Sequence, residues 1–278
     1  MTNINQLISI IIPVFNESES IGYLLDEVLN VMRSNKLHFE IVVINDGSQD
    51  NTSNVLDELT IKIKELSVIS LRTNYGQTAA MAAGFDNSNG EVVITLDGDL
   101  QNDPNDIPKL ISHINEGYDL ICGWRYDRKD KLINRRIPSK IANKLIAKVT
   151  GLKLHDYGCS LKAFRKEILD DIKLYGELHR FLPVLAKIEG AKIKEIKVNH
   201  RIRKYGSSKY GIDRTFRVLM DLLTVWFMTK FLTRPMYGFG FVGIISILVS
   251  LGMTSYLFII KLLGNDIGNR PLLMFALI

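Results

Sequence analysis

Short apolar runs alternate with helical patterns along the N-terminal half of the chain. The β-branched run at residues 7–14 predicts a buried strand, and apolar positions in residues 21–32 recur at the spacing of one helix face. Further strands are predicted at residues 39–44, 68–71, 92–96 and 120–124, with helical segments between most of them. Because strands and helices alternate, we expect an α/β fold whose mostly parallel sheet is covered by helices on both faces.

The C-terminal part of the chain has a different pattern. Residues 235–260 carry no charged side chain and lie between Arg234 and Lys261. As a helix this segment would be about 39 Å long, which exceeds the roughly 30 Å hydrocarbon core of a bilayer. We therefore expect one complete membrane span at 235–260 and the start of a second at 271–278. The preceding residues 213–234 predict an amphipathic helix, either in the membrane interface or packed on the N-terminal domain.

Charge is distributed unevenly between these regions. The net charge is only +5, but basic residues concentrate between 192 and 234, directly before the predicted span. This concentration indicates phosphate groups or acidic lipid headgroups as partners, and it places the N-terminal domain, residues 1–212, on the cytoplasmic side of a cell membrane. A nucleic-acid partner is not expected, because the basic block lacks interleaved aromatic side chains.

Polar clusters follow three of the predicted strands, at residues 13–17, 45–52 and 97–101. In parallel sheets, ligands bind at the carboxyl ends of the strands, where these clusters fall. Asp97 and Asp99, with the amide oxygen of Gln101, offer the oxygen ligands that Mg²⁺ or Mn²⁺ prefers. Two plainer interpretations stay open: an Asp-x-Asp triplet is common in solvated turns, and residues 48–51 can cap the helix that follows them.

Taken together and in this order, these segments resemble glycosyltransferase family 2, which has the Rossmann-like GT-A fold. The resemblance covers roughly residues 7–210 and is carried by ISIIIPVFNE at 8–17, NDGS at 45–48, NYG at 74–76 and DGDLQNDP at 97–104. Within the family, the chain is most similar to the polyprenyl-phosphate sugar transferases, also through segments 156–165, 177–181 and 204–211. Asn45 departs from the pattern, because many relatives carry Asp there.

The resemblance implies an inverting, metal-dependent transfer of a sugar from a nucleotide-sugar, with UDP favoured, to a polyprenyl phosphate such as undecaprenyl phosphate. It implies a cell-envelope role and leaves a homo-oligomer open. The donor-nucleotide site would be lined by Pro13, Asn16, Glu17, Asp46, Gly76 and Asp97. Asp97, Asp99 and Gln101 would hold Mg²⁺ or Mn²⁺. The acceptor phosphate or the diphosphate would contact Arg125, Arg136, Ser139, Arg201, Arg203 and Lys209.

Asp156 and Asp99 are the catalytic candidates. Asp156 would act as a base, or it would orient Arg165 or a backbone turn. A lipid phosphate is already anionic near neutral pH, so we expect stabilisation of the leaving diphosphate to contribute more than proton transfer. His179 either joins the site or is a hydrogen-bonded structural residue. Arg125 and Lys209 either bind ligand or are solvated charges.

Three other functions are weighed against this one. A processive polysaccharide synthase of the same fold would have a Gln-x-x-Arg-Trp segment, which is absent here, and several spans. A nucleotidyltransferase would have a glycine-rich basic loop after the first strand. A non-catalytic membrane scaffold would be favoured by loss of the Asp97–Asp99 pair, and both residues are present.

Overall fold

The computed structural model describes residues 6–127, 137–205, 213–231, 234–268, 271–272 and 275, without the side chains of 137–142 and 213–219. The chain divides into two compact units, Met1–Val225 and Trp226–Ile278, which we call the N-terminal and C-terminal units. Each unit is described by itself.

A seven-stranded sheet forms the centre of the described N-terminal unit. Its strands are β1 (Ile8–Val14), β2 (Phe39–Asn45), β3 (Leu66–Ser70), β4 (Val92–Thr95), β5 (Leu120–Arg125), β6 (Lys162–Arg165) and β7 (Ile193–Val198). The strand order is β3-β2-β1-β4-β6-β5-β7. Only β6 runs antiparallel to its neighbours, β4 and β5, so the predicted mostly parallel α/β sheet is confirmed.

The strand order reverses between β1 and β4. From β1, the chain first adds β2 and β3 on one side and then places β4 on the other. In open α/β sheets, the connections that leave such a pair diverge, and they open a crevice at the carboxyl ends of the strands. Residues 15–17 and 97–101 follow β1 and β4 and therefore border this crevice.

Helices cover both faces of the sheet. The helices of the N-terminal unit are α1 (Ile21–Ser34), α2 (Thr52–Lys62), α3 (Gln77–Asp86), α4 (Ile107–Asn115), α5 (Ile137–Thr150), α6 (Lys166–Asp171) and α7 (Leu182–Ile188). Ile10 and Ile12 of β1 pack in a cluster that includes apolar residues of α1 and α4. Ile11, between them, packs in a second cluster with residues of α3 and α7. Because successive side chains alternate between two buried faces, β1 is apolar without interruption.

The five strands predicted from the sequence are present, with ends that differ by at most two residues. β6 and β7 were not predicted from the sequence. β6 has only four residues and includes Lys162, which is 4% exposed, so its composition does not indicate a buried strand.

The C-terminal end contains two long helices. α8 (Asp213–Phe231) extends from the N-terminal unit into the C-terminal unit, and α9 (Pro235–Leu262) lies wholly within the latter. α9 has a mean hydropathy of 2.1 and is the one helix in the described ranges that is long and apolar enough to cross a membrane. The domain limits 1–212, 213–234 and 235–278 stay predictions, and most of 271–278 lies outside the described residues.

Candidate active site

The loops after β1 and β2 are bonded directly to each other. The backbone N–H of Asn16 donates to Ser48 Oγ at 2.9 Å, and Asn16 Oδ1 accepts from the backbone N–H of Gln49 at 2.7 Å. The backbone N–H of Glu17 donates to Thr52 Oγ1 at 3.0 Å. Asn16 adopts a left-handed backbone conformation, with a φ of 52°. These bonds fix the backbone of the first polar cluster at the mouth of the crevice.

Asp46, at the end of β2, organises the loop that begins α3. Its carboxylate accepts from the backbone N–H groups of Tyr75 at 2.7 Å and Gly76 at 2.9 Å, and from Asn74 Nδ2 at 3.0 Å. Burial raises the pKa of Asp46, and the two backbone hydrogen bonds oppose that rise. The structure therefore places the predicted donor-site residues Asp46 and Gly76 in one hydrogen-bonded unit.

Gly47 makes this arrangement sterically feasible. Its φ is 65°, and a Cβ at this position would lie 2.4 Å from the carbonyl carbon of Thr73. Any other residue would have to adopt a left-handed conformation and would also clash with backbone. The glycine therefore permits the 73–76 loop to lie against the turn after β2.

The Asp-x-Asp motif follows β4 at the other side of the crevice. Asp97 Oδ1 accepts from Gln77 Nε2 at 2.8 Å, and Asp99 Oδ1 accepts from the backbone N–H of Gln101 at 3.1 Å. Leu100, between them, has a φ of 62°, a conformation that costs about 1–2 kcal/mol for a residue with a side chain. Burial and the neighbouring charge of Asp97 raise the pKa of Asp99 to about 6.

The chemistry of this motif fits a divalent cation that is shared with a diphosphate. Within the described residues, no group of three or more His, Cys, Asp or Glu side chains is arranged to hold a metal alone. Mg²⁺ sites of nucleotide-binding enzymes commonly use only one or two protein carboxylates and complete the shell with phosphate and water. Burial, and to a smaller extent the charge of Asp97, raise the pKa of Asp99, and a bound cation would offset both effects.

Arg203 is the cation that the structure brings to this motif. Its Nη2 donates to Glu17 Oε1 at 2.7 Å, and its Nη1 lies 3.8 Å from Asp99 Oδ2. Its Nε donates to the backbone carbonyl of Tyr205 at 2.9 Å. The predicted site residues Glu17, Asp99 and Arg203 therefore meet.

Arg201, two residues earlier, is held elsewhere. Its guanidinium bonds Glu27 Oε2 at 2.6 Å and Asp103 Oδ1 at 2.7 Å. Its backbone carbonyl accepts from Gln101 Nε2 at 3.4 Å. Arg201 thus attaches its segment to α1 and to the loop after the Asp-x-Asp motif, while Arg203 contacts the carboxylates of the motif.

Arg125, at the end of β5, forms a bidentate ion pair with Asp156. Arg125 Nε and Nη2 donate to the two carboxylate oxygens at 2.7 and 2.9 Å. Asp156 is 3% exposed, and its Oδ1 also accepts from the backbone N–H of Gly158 at 3.1 Å. Arg125 is therefore not a solvated charge. Its guanidinium plane is fixed, which suits it to bind an anion.

The alternative that Asp156 orients Arg165 is wrong. Arg165 Nη2 donates to the carbonyl of Ile114 at 2.9 Å, and its Nε lies 3.5 Å from Asp119 Oδ1. The other alternative, that Asp156 orients a backbone turn, agrees with the hydrogen bond from the backbone N–H of Gly158 to Asp156 Oδ1. Whether Asp156 also acts as a base stays a prediction.

The first residues of α3 connect the site to a buried histidine. His179 Nδ1 shares a 2.7 Å hydrogen bond with Thr78 Oγ1, and His179 is 8% exposed. Gln77, beside Thr78, is the residue that bonds Asp97. Neither Gln77 nor Thr78 was predicted from the sequence, although both directly follow the 74–76 segment.

The structure shows fewer contacts for the remaining residues that were predicted from the sequence. Pro13 is the penultimate residue of β1. Asp50 accepts from the backbone N–H of Thr52, the first residue of α2, at 3.0 Å, whereas the N-cap residue Asn51 makes no side-chain capping bond. Arg136, Lys209 and the side chain of Ser139 lie outside the described residues.

Comparison with known proteins agrees with this fold and site. The family model described as glycosyl transferase family 2 matches residues 9–173, which is more than half of the chain. The chain therefore belongs to glycosyltransferase family 2 and is a glycosyltransferase. This assignment favours an enzyme over the non-catalytic scaffold.

Two of the relatives are named for polyprenyl phosphates. A dodecaprenyl-phosphate galacturonate synthase from Rhizobium johnstonii is 44% identical over 98% of this chain and 82% of its own length. An undecaprenyl-phosphate 4-deoxy-4-formamido-L-arabinose transferase from Pseudomonas fluorescens is 39% identical over 86% of this chain and 70% of its own.

A solved structure supports the fold. Glucosyl-3-phosphoglycerate synthase from Mycobacterium tuberculosis, in complex with Mn²⁺ and UDP-glucose, superposes with a TM-score of 0.63. The superposition covers 81% of this chain and 79% of that one at 17% sequence identity. The predicted GT-A fold is therefore confirmed.

The Arg125–Asp156 pair yields a test that separates positioning from base catalysis. Asp156→Asn would leave a largely buried guanidinium without its counter-charge, so we expect the free energy of unfolding to fall by about 3 kcal/mol. Urea denaturation in detergent, followed by tryptophan fluorescence, would measure the change. The control is Asp170→Asn, which removes an exposed ion pair with Lys166 and should cost less than about 0.5 kcal/mol. Near-normal stability together with lost transfer would contradict the positioning role and favour a base.

The raised pKa of Asp99 predicts a pH dependence of stability without metal. Its carboxyl binds a proton near pH 6 in the folded chain but near the ordinary value of 3.8 when unfolded. The folded state therefore holds more protons between these values, and the contribution of Asp99 to stability falls as pH rises through this window.

Asp99→Asn removes this titration. In the presence of a chelator, we expect the variant to gain stability relative to the unmodified protein as pH rises from about 4 to about 6. Urea denaturation at several pH values would measure it, with the exposed Asp57→Asn on α2 as control. A stability difference that does not change with pH would contradict the assignment.

Proposed function

We propose that this glycosyltransferase moves a sugar from a nucleotide-sugar, with UDP favoured, to a polyprenyl phosphate such as undecaprenyl phosphate. The observation that carries the proposal is the Asp97–Asp99 pair at the β1–β4 crevice, where the pKa of Asp99 is raised to about 6. Two carboxylates separated by one residue in a crevice suit a cation that carries a diphosphate. The polyprenyl phosphates in the names of the relatives support the acceptor.

The donor side is built from residues that are already ordered. Asp97, Asp99 and Gln101 would hold Mg²⁺ or Mn²⁺, which would neutralise the charge that develops on the departing nucleoside diphosphate. Gln77 fixes one oxygen of Asp97 and so limits the rotation of this carboxylate. Asn16, Asp46 and Gly76 set the backbone on either side of the nucleoside pocket. The structural neighbours bind Mn²⁺ or Mg²⁺ with a uridine nucleotide, which supports these metal ions and a UDP-linked donor.

The acceptor step needs little proton transfer. An oxygen of the lipid phosphate forms the new bond to the anomeric carbon, while the bond to the diphosphate breaks and its electron pair leaves with the nucleoside diphosphate. A single displacement of this kind inverts the anomeric configuration. Arg125, oriented by Asp156, supplies a fixed cation for a phosphate, so Asp156 acts through Arg125 in this scheme.

The acceptor also accounts for the C-terminal helices. A polyprenyl chain partitions into a bilayer, and α9 has the length and composition of a membrane span. We infer a cell-membrane location with the catalytic domain on the cytoplasmic side, since basic residues precede α9.

Transfer can be tested directly with the full chain in detergent. We expect label from one of a panel of UDP- and GDP-sugars to enter the organic phase with undecaprenyl phosphate only when Mg²⁺ or Mn²⁺ is present. Asp99→Asn should lower the rate by about 100-fold or more, because it weakens the hold on the cation. The exposed control Asp57→Asn should not change the rate. Transfer that persists in EDTA would refute the metal role, and no lipid-linked label with any donor would refute the acceptor.

A further inference from the structure

The segment 199–205, which we call the strap, is held at both ends by contacts with residues after β4 and with α1. The backbone N–H of Asn199 donates to Asp106 Oδ2 at 2.7 Å, and Arg201 bonds Glu27 on α1. At the other end, the Tyr205 ring stacks on Tyr23 of α1, with centroids 5.9 Å apart and planes 2° from parallel. The strap therefore lies against α1 and holds Arg203 between two anchored ends.

Arg203 contacts two carboxylates unequally. The contact with Glu17 is a hydrogen bond of 2.7 Å, whereas the approach to Asp99 is an ion pair of 3.8 Å. Glu17 and Asp97 both add negative potential at Asp99. Arg203 is thus a resident positive charge where the proposed function requires a divalent cation.

We infer that Arg203 is an internal cation that stands in for the metal in the donor-free enzyme and competes with it for Asp99. This inference rests on the proposed function. A divalent cation on Asp99 would repel the guanidinium at close range, so both cannot pair fully with the same carboxylate. The longer contact, to Asp99, yields first, while the bond to Glu17 keeps Arg203 in the crevice.

The exchange gives Arg203 a second role once the donor binds. The guanidinium freed from Asp99 has N–H groups available, and a diphosphate beside the metal offers oxygens that guanidinium groups bind well. Arg203 therefore opposes the metal when no nucleotide is present and assists nucleotide binding when metal is present. A residue that only positioned the carboxylates would favour ligand binding both with and without nucleotide.

The experiment therefore measures two affinities, one for the metal without nucleotide and one for the nucleotide with metal present. Free Mn²⁺ is counted by electron paramagnetic resonance during titration of the full chain in detergent, with and without UDP. We expect Arg203→Gln to bind Mn²⁺ about threefold or more tightly without UDP, because the competing charge is gone. At saturating Mn²⁺, the same variant should bind UDP about threefold or more weakly.

Three further variants make the result specific. Arg203→Lys keeps the charge and should stay near the unmodified Mn²⁺ affinity. Arg33→Gln removes an exposed arginine at the end of α1 that pairs with Glu65, the residue before β3. This variant should change neither affinity. Tyr23→Ala removes the stacking partner of Tyr205, loosens the strap and should raise Mn²⁺ affinity without UDP, even if Arg203→Gln does not fold.

Unchanged or weaker Mn²⁺ binding in both Arg203→Gln and Tyr23→Ala would overturn the inference. If the unmodified chain binds Mn²⁺ with UDP in that case, the metal dependence of the proposed function still stands. If the unmodified chain binds no Mn²⁺ with or without UDP, the metal dependence and the internal-cation role both fail.

Discussion

The crowding of carboxylates at the carboxyl ends of β1, β2 and β4 is the constraint on which the rest of the site depends. Glu17, Asp46, Asp97 and Asp99 all lie at these strand ends. Burial raises the pKa of Asp46, and burial together with the charge of Asp97 raises the pKa of Asp99. The chain offsets each charge differently. Asp46 accepts three N–H bonds from one loop, Glu17 pairs with Arg203, and Asp97 is bonded by Gln77. Asp99 has only the longer contact with Arg203, at 3.8 Å, and lies beside Asp97, which makes this pair the natural position for an added cation.

The same contacts make the site rigid before any ligand binds. Bonds between the loops after β1 and β2, and between Asp46 and the start of α3, set backbone positions that flexible loops would leave undefined. The Arg125–Asp156 pair fixes a guanidinium on the other side of β4 and orients it. Such preorganisation is what catalysis by electrostatic stabilisation requires, because little reorganisation remains to oppose the reaction.

The sequence predicted the fold well wherever a strand is apolar on both faces, as in β1, because such runs contrast strongly with the amphipathic helices. It did not reveal β6 and β7, since a four-residue strand that carries Lys162 resembles a loop. Motifs at strand ends predicted which acidic residues gather. They could not predict that Asp156 orients Arg125 rather than Arg165, because that contact joins residues from distant parts of the chain. Likewise, the sequence does not distinguish Arg203 from Arg201. The path of the strap brings Arg203 to Glu17 and brings Arg201 to Glu27 on α1.

The central claim is that the β1–β4 crevice binds the donor diphosphate through a cation held by Asp97 and Asp99. A crystal structure of the protein with Mn²⁺ and UDP, phased with the anomalous signal of manganese, tests this most directly. The account predicts an anomalous peak about 2.2 Å from an oxygen of Asp97 or Asp99 and from an oxygen of the diphosphate. UDP bound in the crevice without a manganese peak, or manganese bound away from these two carboxylates, would contradict it.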